Sequence, residues 1–282
     1  MMAKAIPSIL PELTFEEALE ITKIYSIVGN LNKNSPLIKS RPFRCPHHTI
    51  SVHSLVGGGI TPKPGEVSLA HLGVLFLDEL PEFKKGTLEV LRNPLEDGEI
   101  TISRANGSFT YPCEFMFVAS MNPCPCGYYG SNKKKCTCSM YQIERYMAKI
   151  SGPILDRIDI QVEVFPIEYK KMEQHHVAET SEIIRKRVNQ ARKIQKERYK
   201  KQKIYSNSQL SPKLMEEYCS LDKESKKILK GAFETLGLSA RAYTRILKVA
   251  RTIADLDQSE QIQIQHIAEA IQYRNLDKKY WK

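Results

Sequence analysis

No stretch of this chain approaches the roughly 18 consecutive apolar residues that a membrane-spanning helix requires. The amino terminus lacks the basic-then-apolar layout of a secretory leader, so a cytoplasmic location without membrane contact is expected. There is no internal repeat and no low-complexity tract, which leaves an ordinary packed protein. Cysteine is sparse, seven in 282 residues, and in a chain read as cytosolic those seven point to metal binding or burial rather than disulfides. What the chain has in excess is positive charge. Its 42 Lys and Arg against 32 Asp and Glu give a net +10, which favours a polyanionic partner, nucleic acid ahead of a membrane surface.

Residues 14 to 28 read as a helix: Thr14 and Glu17 have capping-box spacing, Leu19, Ile21 and Ile24 recur on one side, and Gly29 can end it. A Pro/Gly/His-rich stretch over 41–66 reads as an irregular insertion. An apolar strand over 74–77, a helix over 83–96 and a hairpin around Asn106-Gly107 come next, then a second buried strand within 115–120. Residues 178–203 are polar and basic and contain no Gly or Pro, the pattern of a long exposed helix. Residues 211–274 read as three or four short amphipathic helices, with Gly237 as a stop and Ser239 as a start. The expected division is an α/β core over 1–167, a basic helical linker over 168–210 and a small all-helical lid over 211–282.

The first apolar strand, "GVLFLDEL" (73–80), ends in two adjacent carboxylates, Asp78 and Glu79. At a nucleotide site, one such acid holds Mg²⁺ through its waters and its neighbour polarises the attacking water; the alternative is a helix-capping acid ahead of Pro81. The second strand, "FMFVASMNPCPCG", ends in Asn122, placed to hydrogen-bond a terminal phosphate or the lytic water. An acid-tipped strand followed about 40 residues later by an asparagine-tipped one is the order of Walker B and sensor 1 in AAA+ ATPases. Downstream, "SGPILDRIDI" sets Arg157 between Asp156 and Asp159, either as an arginine finger reaching a neighbouring nucleotide or as a structural ion pair. In "LSARAYTRILKVARTIADL", Arg241 stands in a first helical turn where a sensor 2 arginine lies, and Arg245 one turn on is the alternative.

With "PFRCPHHTIS", "PGEVSLAHLGVLFLDELPEF", "LRNPLEDGEITISRA" and "ASMNPCPCGYYG", these segments resemble the C-terminal portion of a magnesium-chelatase-like AAA+ protein of the bacterial ComM/YifB competence family. The resemblance runs from residue 1 to about residue 276. It implies a partial AAA+ P-loop NTPase core, a parallel sheet with helices, followed by a helical lid domain. It also implies a ring-shaped, hexameric motor using ATP and Mg²⁺. In the competence branch such a motor acts on DNA, driving branch migration during natural transformation. One element of the pattern is missing. No G-x-x-x-x-G-K-[ST] loop occurs anywhere, and the three glycines at 57–59 are followed by no Lys-Ser/Thr. Without those amides and that lysine the phosphates lose their main ligands. The expectation is therefore a fragment of a longer motor, or a subunit that does not hydrolyse ATP alone.

Cys124, Cys126, Cys136 and Cys138 form a C-x-C-x9-C-x-C arrangement, suited to a structural four-thiolate Zn²⁺ site, although the usual pair spacing is C-x2-C. The alternative is four reduced surface cysteines. Cys45, His47 and His48 have the residue types of metal ligands, but their place between two prolines reads rather as a turn, and Cys113 and Cys219 read as buried or incidental. For DNA, single-stranded or branched, the expected contacts are Arg104 beside the hairpin turn and Arg41, Arg44 and Lys63 in the 41–66 stretch. Lys133 to Lys135 and the basic segment around Arg185 to Lys203 read as solvated charge or as further phosphate contacts. Three functions follow: an ATP-driven DNA motor, an ATPase subunit of a magnesium-chelatase complex, or a non-hydrolysing subunit that lends Arg157 to a partner.

Overall fold

The computed structural model describes residues 2–31, 36–59, 61–104, 107–131, 134–164, 178–202 and 204–274. It divides into two compact units, Met1–Arg157 and Ile158–Lys282. The first is α/β and the second helical, as a partial AAA+ core and its helical domain require. No helix among the described residues is long and apolar enough to cross a membrane.

The first unit runs α1 (Met2–Ile9), α2 (Phe15–Ile27), β1 (Phe43–Arg44), α3 (Val52–Val56), β2 (Gly57–Gly58), β3 (Lys63–Pro64), α4 (Glu66–Leu69) and β4 (Val74–Leu77). It continues through α5 (Lys85–Glu89), α6 (Arg92–Asp97), β5 (Glu99–Arg104), β6 (Gly107–Pro112), β7 (Met116–Ala119), α7 (Met140–Met147) and α8 (Gly152–Leu155). Strands β1, β4 and β7 form a parallel sheet with β4 in the middle. The Val-Leu-Phe-Leu run suits that place: Val74, Leu75 and Leu77 are fully buried, as a strand covered on both faces demands. Strand β7 lies at an edge of this sheet among the described residues, and Met116 is 44% exposed. Helix α2 opens with the reciprocal Thr14–Glu17 capping box that its spacing predicts. Strands β5 and β6 form the expected antiparallel hairpin, while its turn residue Asn106 lies outside the described residues.

Two expectations change. The stretch 41–66 is not irregular throughout: it supplies sheet strand β1, and Leu55 of α3 is fully buried. Two of its glycines, Gly57 and Gly65, are there for close packing. Gly57 has φ +104°, and a Cβ on it would stand 2.5 Å from the Lys63 carbonyl oxygen; a Cβ on Gly65 would stand 2.4 Å from the Gly57 nitrogen. The helix expected over 83–96 is two helices, α5 and α6, broken at Val90–Leu91. Pro94 explains the break. It has no N–H to continue the ladder from α5, but it is tolerated in the first turn of a new helix, where that donor is unpaired anyway.

The second unit contains α9 (Ser181–Arg198), α10 (Pro212–Tyr218), α11 (Lys223–Leu236), α12 (Ala240–Leu256) and α13 (Ile264–Gln272). Thr180, Ser211, Asp222 and Ser239 cap four of these helices through side-chain hydrogen bonds, and Gly237 ends α11 in the left-handed region. Their apolar stripes meet in one core around Leu229, Ile246, Ala250 and Ile267. The basic helix α9, expected as a solvated connector, belongs to this unit. It buries Ala191 and Gln195, and Gln195 and Arg198 bond the fully buried Asp255 of α12. The charged residues of α9 read as exposed because its buried side is narrow. Residues 168–177 and Lys203 lie outside the described residues.

Candidate functional site

In open parallel sheets, ligands bind beyond the carboxyl ends of the strands. Here β4 and β7 pair from Val74–Met116 through Leu77–Ala119, so the next residues on each strand, Asp78 and Ser120, emerge side by side. The Ser120 N–H donates to the Leu77 carbonyl at 3.0 Å, and the Leu80 N–H donates to the Ser120 carbonyl at 2.9 Å. The Ser120 hydroxyl donates to the Asp78 carboxylate, which also accepts the Glu79 N–H at 3.1 Å. Asp78 is thereby oriented by two donors while it stays exposed to solvent. Glu79 sits in the left-handed region at φ 54°, ψ 50°, which costs an unbranched residue roughly 1–2 kcal/mol. That conformation turns the chain at once into a 3-10 turn that buries Leu80 and Pro81. The Glu79 carboxylate is left outside, 57% exposed. A buried strand thus ends in two solvent-facing acids, one held and one projecting.

From the segment that follows β1, one histidine reaches these acids. The His48 Nδ1 lies 3.8 Å from Glu79, its ring meets Phe83 edge-on, and His47 packs against it with ring centroids 4.1 Å apart. Beyond β7, Asn122 is exposed, and its backbone hydrogen-bonds the hydroxyl of buried Tyr146. The Tyr146 phenol is pushed up to about 12, first by burial and then by the carboxylate of Glu82, with Cys124 and Glu79 adding to the rise against the Asn122 bond. Ser120, His48 and Tyr146 were not singled out from sequence as parts of this site. Ser120 carried a signal, a hydroxyl directly after an apolar run. Tyr146 carried none, since only folding brings α7 against Asn122.

The four cysteines converge. Their sulfurs all lie within 4.8 Å of one another, with Cys124–Cys126 at 3.3 Å, Cys124–Cys136 at 3.7 Å and Cys126–Cys136 at 3.4 Å. Backbone N–H groups of Thr137 and Tyr128 pull the Cys126 thiol down to about 5. The Cys138 backbone also bonds Cys136, but desolvation and the hydrogen bonds shared with Cys126 and Cys124 push that thiol up to about 12. Cys113 and Cys219 are buried as expected, and burial pushes both thiols up. Cys45, His47 and His48 are not grouped closely enough to share an ion; among the described residues only the four cysteines lie close enough together that they could hold one.

The basic residues divide. Arg157 is 9% exposed and ion-paired with Glu96, with its Nη1 donating to the Pro153 carbonyl at 2.8 Å. Asp159, expected beside it, pairs with Arg245 instead. Arg241 stands exposed in the first turn of α12. Arg41, expected to face DNA, is 11% exposed: it pairs with Glu17 at 3.1 Å and donates to the Pro11 and Leu72 carbonyls. Arg44 makes a bidentate pair with Glu66 at 2.6 and 2.7 Å. Lys63 is exposed. The Arg104 backbone ends β5, and its side chain lies outside the described residues, as does Lys133. Lys134 packs over the Tyr128 ring at 4.5 Å.

A family model described as magnesium chelatase, subunit ChlI, matches residues 1–172, and one for the C-terminal part of that subunit matches residues 178–274. YifB of Escherichia coli (strain K12) is 45% identical over 280 residues, covering 99% of this chain and 54% of the relative. YifB of Salmonella typhimurium is 44% identical over the same span. The competence protein ComM of Haemophilus influenzae is 47% identical over 275 residues, covering 97% of this chain and 53% of the relative. The chain spans about half the length of the curated relatives it matches.

Proposed function

The chain belongs to the magnesium chelatase subunit ChlI family, in the branch that contains YifB and ComM, and on that premise we propose that it is the C-terminal part of a ring-forming ATPase motor that remodels DNA. The observation that carries the nucleotide half of this reading is the pairing of Asp78 with Ser120 at neighbouring strand tips, with Glu79 and Asn122 exposed beside them. ATP with Mg²⁺, when bound, supplies the phosphoanhydride that is cleaved. Asp78, kept in one orientation by the Ser120 hydroxyl and the Glu79 N–H, is the acid that would hold Mg²⁺ through its waters. Glu79 accepts a proton from the attacking water, and Asn122 orients that water or a terminal phosphate oxygen. The donor set fits one wall of such a site. The phosphate-cradling loop has no counterpart in these 282 residues, so that wall is assigned to polypeptide outside them or to another subunit.

The DNA half rests on the net charge of +10, on exposed Lys63, on the β5–β6 hairpin and on the competence designation of ComM. The family descriptions favour a second reading, an ATPase subunit of a chelatase. An arginine-finger subunit is less favoured, because Arg157 has to release Glu96 before it reaches a neighbour.

ATP hydrolysis, measured with a phosphate-cradling loop supplied on the same polypeptide or by a second subunit, separates these readings. Single-stranded DNA is expected to stimulate turnover, and Glu79→Gln to lower it by about 10²-fold or more with ring assembly intact. Turnover indifferent to DNA but raised by a tetrapyrrole chelatase partner establishes the second reading instead. Hydrolysis that survives Glu79→Gln removes the role given to the strand tips.

A further inference from the structure

We propose that Cys124, Cys126, Cys136 and Cys138 hold one Zn²⁺ as a closed four-thiolate site, and that this ion fixes the loop that carries Asn122. A zinc–sulfur distance of about 2.3 Å sets the edge of a sulfur tetrahedron at about 3.8 Å. The observed separations of 3.3, 3.4 and 3.7 Å come within a few tenths of an ångström of that edge. They are far too long for disulfide bonds, which measure about 2.05 Å. Two chain segments twelve residues apart deliver the four sulfurs to one point without help from a helix or strand.

The surroundings match those of thiolate ligands. The Tyr129 N–H donates to the Cys124 sulfur at 3.3 Å and the Cys138 N–H to the Cys136 sulfur at 3.4 Å. Gly127, at φ +80°, makes the left-handed turn that follows Cys126. Such N–H···S bonds spread the charge of coordinated thiolates and orient them. Four protein ligands leave no open position, so the ion is structural and takes no substrate.

The loop has little else to order it. Among its described residues, 123–139 contain no helix or strand, and only Cys124 is buried. Asn122 lies two residues upstream. Its side-chain amide packs over the Gly127 turn, with Cγ and Oδ1 4.0 Å from where a Cβ on that glycine would be, and its backbone is bonded to Tyr146. The cysteine loop and α7 therefore grip Asn122 from two sides. Zinc removal releases one of them. The metal site stands whether or not the strand tips bind a nucleotide; only the catalytic value of Asn122 rests on the motor reading.

The test is elemental analysis of the purified chain, followed by hydrogen exchange before and after chelation. About one zinc per chain is expected, retained by Cys45→Ser and lost from Cys126→Ser and Cys136→Ser. Cobalt exchange should give the intense red-region bands of a tetrahedral thiolate site. Exchange at the amides of Asn122, Tyr129 and Cys138 should rise about tenfold or more on metal removal, with α12 unchanged, and fall again when zinc or cadmium is restored. Iron in place of zinc, or four thiols that react freely in metal-free but folded protein, overturns the site. Stoichiometric zinc whose removal leaves Asn122 exchange unchanged overturns the positioning role. Because chelation and restoration are read on the unaltered chain, misfolding of a cysteine variant does not blunt the test.

Discussion

Asp255 is fully buried in the helical unit and accepts hydrogen bonds from four side chains. Arg198 donates from both terminal nitrogens, one at 2.9 Å; Asn207 donates at 2.8 Å, Arg251 at 3.1 Å and Gln195 at 3.2 Å. Asp255→Ala removes the one anion from between two guanidiniums. Breaking a buried pair from one side costs about 3–5 kcal/mol. Relaxation is uneven here. Arg251 keeps the Glu260 and Ser259 carbonyls at 2.9 and 2.6 Å, and Arg198, 15% exposed, can turn toward water. The expected loss is therefore at the low end, about 3 kcal/mol. With a urea dependence of about 1–3 kcal/mol per molar, the midpoint should fall by roughly 1–3 M. Far-UV circular dichroism reads this directly, because the unit is helical throughout its described elements. Arg198→Ala should couple to Asp255→Ala by about 1 kcal/mol or more in a double-mutant cycle. A loss below about 1 kcal/mol for Asp255→Ala, or strict additivity, refutes the claim that this carboxylate docks α9 onto the helix bearing Arg241 and Arg245.

Arg41→Ala and Lys63→Ala separate structural from DNA-facing cations. Arg41→Ala should cost about 1.5–3 kcal/mol of stability through its lost charged hydrogen bonds, with DNA affinity per folded molecule unchanged. Lys63→Ala should leave the urea midpoint in place and reduce the salt slope of oligonucleotide binding by about 0.7–0.9, the share of one phosphate contact. The reverse pattern removes the assignment of both. Burial pushes the Cys113 thiol from 9.0 up to about 12, so the folded state holds that proton more tightly than the unfolded chain. Its contribution is complete below pH 9.0 and is lost as pH rises to about 12. Denaturation series across that window should show Cys113→Ala with a flatter alkaline decline than the parent, and equal slopes count against the burial.

Much of the architecture was legible because it is local. The Thr14–Glu17 capping box, the Gly237 stop, the Ser239 start and the β5–β6 pairing each depend on residues a few positions apart, and all stand where their spacing placed them. The acid-tipped strand was also legible, since only a strand buried on both faces reads as an unbroken apolar run. Strand β1 was not. It is two residues long and exists through its pairing with β4, some 30 residues away, which no local pattern announces. The basic residues were hardest of all. Arg41, Arg44 and Arg157 look alike in sequence, but Glu17, Glu66 and Glu96 claim them in the fold.

By itself, then, the sequence determined the elements whose hydrogen bonds and apolar periods close within a few turns, and the order in which acid, asparagine, cysteine and arginine follow one another. The tertiary structure alone decided which charges are paired and which remain exposed. It set Ser120 on Asp78 and Tyr146 on Asn122, and it brought four sulfurs to within 4.8 Å of one another. Local bonds are encoded by spacing along the chain. A buried polar group instead takes whichever partner packing delivers, and that partner is often tens of residues away.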